Sequence, residues 1–117
     1  MQLLTAELRA QLPPLYSQDG SDNPAVYIKY FTPDSGWAWY VTEGSPEEGD
    51  FKFFGYVVGP FPEWGHFLLS ELETSTGPNG MHIEREIHFQ PAPFSEVKKR
   101  ERLEVADEEE GCGCFAQ

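Results

Sequence analysis

Apolar and polar positions along this chain follow two periods, and each marks a different kind of element. Near the start, Leu4, Leu8 and Leu12 form one stripe of a short helix. Thr5 is placed to cap it, Glu7 lies in the first turn where a negative charge suits the helix dipole, and Pro13-Pro14 stops it. The expected helix spans residue 6 to about residue 12. Residues 17–24 are polar and contain Gly and Pro, so they read as a loop.

From residue 25 the period changes to two. Residues 25–32 and 37–42 are rich in β-branched and aromatic side chains, and Pro33-Asp34-Ser35-Gly36 between them has turn chemistry, which predicts a hairpin. Alternation puts Trp37, Trp39 and Val41 on one face and Ala38, Tyr40 and Thr42 on the other. Residues 43–50 read as an acidic Gly/Pro loop, and the almost wholly apolar stretch 51–58 as a central strand covered on both faces. A fourth strand is expected at 65–69, followed by a helical turn at Ser70-Glu71-Leu72-Glu73, which has the capping-box pattern. Residues 83–89 alternate again as a fifth strand with Ile83, Ile87 and Phe89 inward; Pro91 and Pro93 end it, and Phe94 to Val97 start a final turn. The expected fold class is α+β: a small antiparallel β-sheet of about five strands, meander-like, with the N-terminal helix packed on one face. Residues 1–97 form the expected single domain and residues 98–117 a charged, flexible C-terminal tail.

Composition agrees with this picture. A chain of 117 residues suits one domain, and 15% aromatic content supplies a core in which Phe51, Phe53, Phe54, Trp37, Trp39 and Tyr27 are expected members. Charge adds something the pattern does not show. The formal net charge is −12. Residues 1–93 hold thirteen acids against Arg9, Lys29, Lys52 and Arg85, so most of the excess belongs to the expected body and not to the tail. Such a surface repels phosphate chains, which argues against direct nucleic-acid binding, and attracts basic proteins. Ordinary solubility is the simpler account of the same charge. Met1 to Thr5 lacks a secretory pattern, and no apolar stretch is long enough to span a bilayer; a cytoplasmic protein without membrane association is expected.

Several stretches together resemble a bacterial family catalogued as domain of unknown function 2958. They are Leu3-Leu4-Thr5 with Glu7-Leu8, Leu12-Pro13 with Leu15-Tyr16, and the long run from Lys29 to Tyr40 continuing to Thr42-Glu43. Residues 53–59, 70–73 and 83–89 follow in the same order. The resemblance covers about residues 2–97. It implies a small cytoplasmic protein of the kind carried on plasmids and integrating elements; it implies no activity, cofactor or catalytic residue.

The residues themselves offer a few sites. On a strand, His82, Glu84, Glu86 and His88 share one face, and imidazole with carboxylate ligands suits a divalent metal. His82 and His88 are about 20 Å apart along an extended strand, so one ion cannot bridge both without a bend, and a solvated strand face is the plainer reading. Cys112 and Cys114 lack a third soft ligand nearby, and Cys114 to Gln117 fits a prenylation box imperfectly at Phe115. Asp34, Glu43 and Asp50 are loop acids that, if gathered at one end of the sheet, offer paired carboxylates for acid–base work. Trp37, Trp39, Tyr40 and Trp64 resemble a stacking platform for single strands but lack a basic groove, which leaves core packing or a protein-binding patch.

The leading expectation is a non-catalytic acidic interaction protein, without cofactor, whose face at Asp34, Glu43, Glu47, Glu48, Asp50 and Glu63 binds a basic protein. On a mobile element that partner is expected to be a nucleic-acid-handling defence complex, with carboxylates imitating phosphates. The alternative is a small metal-dependent or acid–base hydrolase using the loop acids or the His82–His88 stretch; a third possibility is an oligomerising module using an exposed sheet edge.

Overall fold

The structure is a computed structural model describing residues 2–103. Its elements in chain order are α1 (Ala6–Gln11), β1 (Ala25–Val26), β2 (Ile28–Phe31), β3 (Ala38–Glu47), β4 (Asp50–Val58), β5 (Glu63–Leu68), α2 (Leu69–Thr74), β6 (Glu84–Arg85), β7 (Ala92–Pro93) and α3 (Phe94–Glu101). Five strands form one antiparallel sheet in the order β5-β4-β3-β2-β6, and β1 pairs with β7 beside it. The fold class is α+β, as the two sequence periods require.

Helix α1 begins as its sequence dictates, with the Thr5 hydroxyl accepting the Leu8 N–H at 3.2 Å. The helix buries no whole residue of its own; Leu3, Leu4 and Leu12 at its two ends are the buried anchors, and Leu8 is half-buried against the same cluster. That cluster occupies one face of the sheet, where Tyr30, Val41, Phe51 and Phe53 meet Leu72 of α2 and Ile83. The opposite face carries Ala38, Tyr40 and Tyr56, covered by Phe94 and Val97 of α3. Strand β4 contributes to both cores, which accounts for its nearly unbroken apolar run.

The strand expected at 25–32 is split into β1 and β2, which lie in different sheets, and four further departures from the expected boundaries bear on the fold. Strand β3 continues to Glu47, through residues whose Gly and Pro content predicts a loop, so the connection to β4 is only Glu48-Gly49, both with positive φ. Pro46 is tolerated there because β2 pairs only with residues 38–41 of β3, leaving no neighbour on that side to miss its N–H. The fifth strand shrinks to Glu84-Arg85; Ile83 is buried, but Ile87 is 62% exposed because the chain turns after Glu86. Helix α2 starts one residue before Ser70, with the Glu71 carboxylate accepting the Leu68 N–H at 2.9 Å while Ser70 bonds Asp50.

The fourth departure concerns the C-terminal boundary. Helix α3 extends to Glu101, and Leu103 packs beside its core cluster, so residues 98–103 belong to the folded unit and not to a tail. Lys29 Nζ meets Glu101 Oε1 at 2.7 Å, and the Tyr40 hydroxyl donates to the same oxygen at 3.3 Å. The expected tail from residue 104 onward, with Cys112 and Cys114, lies outside the described residues. Moving the boundary changes the electrostatics: residues 2–103 hold fifteen acids and eight bases, with Lys98, Lys99, Arg100 and Arg102 at the C-terminal end of α3. The folded unit is acidic, with half of its bases in one short stretch of the chain.

Of the six expected core aromatics, Phe51 and Phe53 are buried, Phe54, Trp39 and Tyr27 are half-buried, and Trp37 is 40% exposed. Trp37 stacks on Trp39 with ring centroids 5.8 Å apart and closes over Gly59.

Two measurements test this architecture. A Cβ at Gly55 falls 2.0 Å from the Tyr40 carbonyl oxygen, whereas one at Gly65 meets nothing. Gly55→Ala is expected to lower stability by about 3 kcal/mol in urea unfolding, and Gly65→Ala to leave it unchanged or raise it by a few tenths. Burial raises the Tyr30 and Tyr40 phenols well above their ordinary value, with Glu101 raising Tyr40 further. A raised phenol stabilises the fold fully below about pH 10 and loses that contribution as pH climbs toward the folded value. In alkaline titration followed by near-ultraviolet absorbance, these two should ionise only with loss of near-ultraviolet circular dichroism; ionisation near pH ~10 with the fold intact would contradict their burial.

Candidate functional site: a cleft around Glu43

The alternation that places Trp39 and Val41 on one face and Ala38 and Tyr40 on the other breaks immediately after Val41. Val41 pairs with Gly55, but Glu43 pairs with Phe54, leaving Thr42 as an extra residue in a β-bulge. Continued alternation would aim Glu43 at the face of Phe53, inside an apolar cluster. The bulge turns it to the other face, beside Phe54 and, one strand on, His66. An unpaired carboxylate in the first position carries a heavy desolvation cost, which the bulge avoids.

The Thr42 hydroxyl and carbonyl and the Glu43 carboxylate all have partners. The Thr42 hydroxyl donates to the Phe54 carbonyl at 3.1 Å, and the Thr42 carbonyl accepts from Gln18 Nε2 at 3.0 Å. Glu43, only 4% exposed, accepts the Tyr16 N–H on Oε1 at 2.8 Å and the Gln18 N–H on Oε2 at 2.6 Å. Gln18 also clasps Ala25, accepting its N–H at 2.8 Å and donating to its carbonyl at 3.2 Å. These bonds hold the loop between Pro14 and Pro24 against the sheet and keep Tyr16 at φ 71, a left-handed conformation costly for a residue with a Cβ.

The loop, β3–β5 and the start of α3 enclose a cleft of about 460 Å³. Part of its wall is aromatic: Phe54 stacks with Trp64 at 5.9 Å, His66 lies 4.9 Å from Phe54 and 5.9 Å from Tyr16, and Trp64 packs edge-on to Phe94. Its charged members are Asp19, Asp22 and the buried Glu43 against Lys98, with Thr42 and Gln18 as neutral polar groups. A cleft of this size, with aromatic rings on one part of its lining and polar groups on the rest, has room for a small organic group.

The six expected face residues are dispersed. Glu47, Glu48 and Asp50 sit together at the β3–β4 turn. Glu63 starts β5 opposite Val57, at the other end of the sheet. Asp34 lies in the β2–β3 turn at that same far end, where its Oδ2 accepts the Asn79 N–H at 2.8 Å and binds down the 77–81 loop. Glu43 is buried between the two ends. Successive antiparallel hairpins place alternate turns at opposite ends, so Asp34 and Asp50 cannot form one carboxylate pair with Glu43. The metal candidates are likewise not assembled: His82 and Glu84 line a second cavity with Glu73, while Glu86 accepts the His88 N–H at 3.1 Å beyond the end of β6. Among the described residues, no group of three or more His, Cys, Asp or Glu is placed to hold a metal ion. Sequence reasoning missed Gln18, His66, Asp19 and Asp22; the polar 17–24 stretch was a signal for a loop but not for what the loop covers.

The family model described as "Protein of unknown function (DUF2958)" matches residues 3–103. No curated protein and no solved structure matches the chain. The matched span ends where the described fold ends, two residues past α3.

Glu43→Gln keeps the shape but replaces one accepting oxygen with an amide that cannot accept the second backbone N–H. A loss of about 2 kcal/mol in urea unfolding is expected, with faster hydrogen exchange at the amides of Tyr16 and Gln18 than elsewhere in the protein.

Proposed function

Since the chain belongs to the DUF2958 family, whose description assigns no activity, we propose a function from its own charge and geometry: a non-catalytic interaction protein whose acidic end binds a basic protein surface. The observation that carries this reading is the state of the β3–β4 turn. Glu47 and Glu48 are exposed there, and Asp50 beside them is held ionised, its carboxyl lowered from the ordinary range first by the Ser70 hydroxyl and then by backbone N–H groups of Phe51 and Ser70. Glu71 stands exposed in the first turn of α2, which Asp50 tethers. Among the described residues, only Lys52 answers this group, at 3.9 Å from Glu47 in a half-exposed pair that neutralises it weakly.

Carboxylates at spaced positions on a rigid turn can stand in for phosphates, and long-range attraction speeds their association with Lys/Arg-lined channels. The partner in this reading is a nucleic-acid-handling defence complex, of restriction or CRISPR type, and the protein is a cytoplasmic anti-defence inhibitor carried by a mobile element. The basic end of α3 repels such a channel and so orients the approach, with the acidic turn leading.

Titration into a defence complex carrying a labelled DNA or guide-target duplex tests this. Displacement of the nucleic acid at low salt, fading as salt rises, is expected, and Glu47→Gln/Glu48→Gln should weaken it roughly ten-fold without changing stability. Absence of competition at low salt, or competition indifferent to both substitutions, rejects the reading.

A further inference from the structure

Resting on the reading that the partner is a basic protein, the geometry points to the Glu43 cleft as the seat of one arginine side chain of that partner. The charge sign excludes an anion: Asp19, Asp22 and Glu43 face one Lys98 around the cavity. Lys98, whose Nζ lies 5.9 Å from the Phe94 ring centroid, supplies one positive charge against three acidic groups of the lining. Among the described residues, no side chain engages the carboxylates of Asp19 or Asp22, whereas Glu43, Asp34, Asp50 and Glu101 all have structural partners.

Shape chooses among cations. The walls at Phe54, Trp64 and Tyr16 are aromatic, and a guanidinium is flat, weakly hydrated and able to stack on such rings while donating in its own plane to carboxylates. An ammonium is compact and strongly hydrated, and gains less there. Glu43 adds to the selection. It is nearly buried and each of its oxygens already accepts one N–H, yet a carboxylate oxygen has a second lone pair to offer. The cleft is built before any ligand arrives, because the loop that roofs it is fixed by Glu43 and Gln18, so little ordering is needed on binding.

The test uses the intact protein and a capped Gly-Arg-Gly peptide, with lysine and citrulline peptides and agmatine as comparisons. The readout is the indole N–H of Trp64, assigned by its loss in Trp64→Phe, and the backbone amides of residues 18–22. The arginine peptide should shift these signals saturably, with the citrulline peptide roughly ten-fold weaker and Asp19→Asn/Asp22→Asn weakening arginine roughly five-fold. Equal response to citrulline, or shifts confined to the Glu47–Glu48 turn, overturns the assignment. Agmatine binding roughly ten-fold tighter than the peptide reassigns the cleft to a free small molecule and overturns the partner's side chain as its occupant. The two readings fail separately. If the defence complex binds and Asp19→Asn/Asp22→Asn leaves that binding unchanged, the cleft assignment falls and the acidic-turn reading stands. If the arginine peptide binds the cleft but no complex is competed, the acidic-turn reading falls, and with it the claim that the arginine belongs to that partner.

Discussion

The bulge at Thr42 and the buried carboxylate it redirects are the constraint on which much of the structure depends. A strand with strict alternation buries one of its faces, and Glu43 falls on the wrong one if the count runs on from Val41. One extra residue corrects the count. Beside it, at Gly55, the partner of Val41, there is no room for a Cβ against the Tyr40 carbonyl. Once redirected, Glu43 needs hydrogen-bond donors, and the polar loop supplies them from Tyr16 and Gln18. The roof of the cleft, the conformation of Tyr16 and the burial of the carboxylate are therefore one arrangement rather than three.

Acidity in this protein serves two purposes that composition does not separate. Some carboxylates are internal fasteners: Glu43 holds the loop, Asp34 the 77–81 turn, Asp50 the start of α2, Glu71 its first N–H, and Glu101 joins α3 to Lys29 and Tyr40. Others, such as Asp19, Asp22 and Glu48, are not engaged in this way. Asp50 belongs to both groups, since the bonds that fasten α2 also keep its charge in place at the turn. The bases are partitioned too. Lys29 is paired, Arg9 lies over the Phe51 ring and Arg100 over Phe89, so much of the positive charge is held against the protein's own surface.

The local elements were legible from residue order because their causes are local. Thr5 and Pro13 bound α1, and Pro33 to Gly36 turn the chain between β2 and β3. The nearly continuous apolar run of β4 announces a strand with two covered faces. The errors share a cause as well. The stretch 43–47 looks like a loop because Gly44 and Pro46 disfavour strands in isolation, yet pairing with Phe51 to Phe54 overrides that preference. The alternation at 83–89 looks like a strand, but β2 offers it only two partners, and the remainder turns away. Residues 98–101 look like a solvated charge run; Phe94, Val97 and the Lys29–Glu101 contact make them the last turn of a docked helix.

By itself, then, the sequence determined the fold class, the consecutive pairing of β2 to β5, the family and the acidic balance, since each depends on composition or on neighbours close in the chain; the fifth strand, expected to continue the meander, instead returns to pair with β2 at the opposite edge. Tertiary structure alone decided which acids are buried, which turns share an end of the sheet, and that a loop near residue 18 meets a carboxylate at residue 43. The physical reason is that a bulge is a long-range choice. Whether an extra residue at Thr42 is stabilising depends on Phe54, Gly55 and Gln18 together, and no periodicity within β3 contains that information.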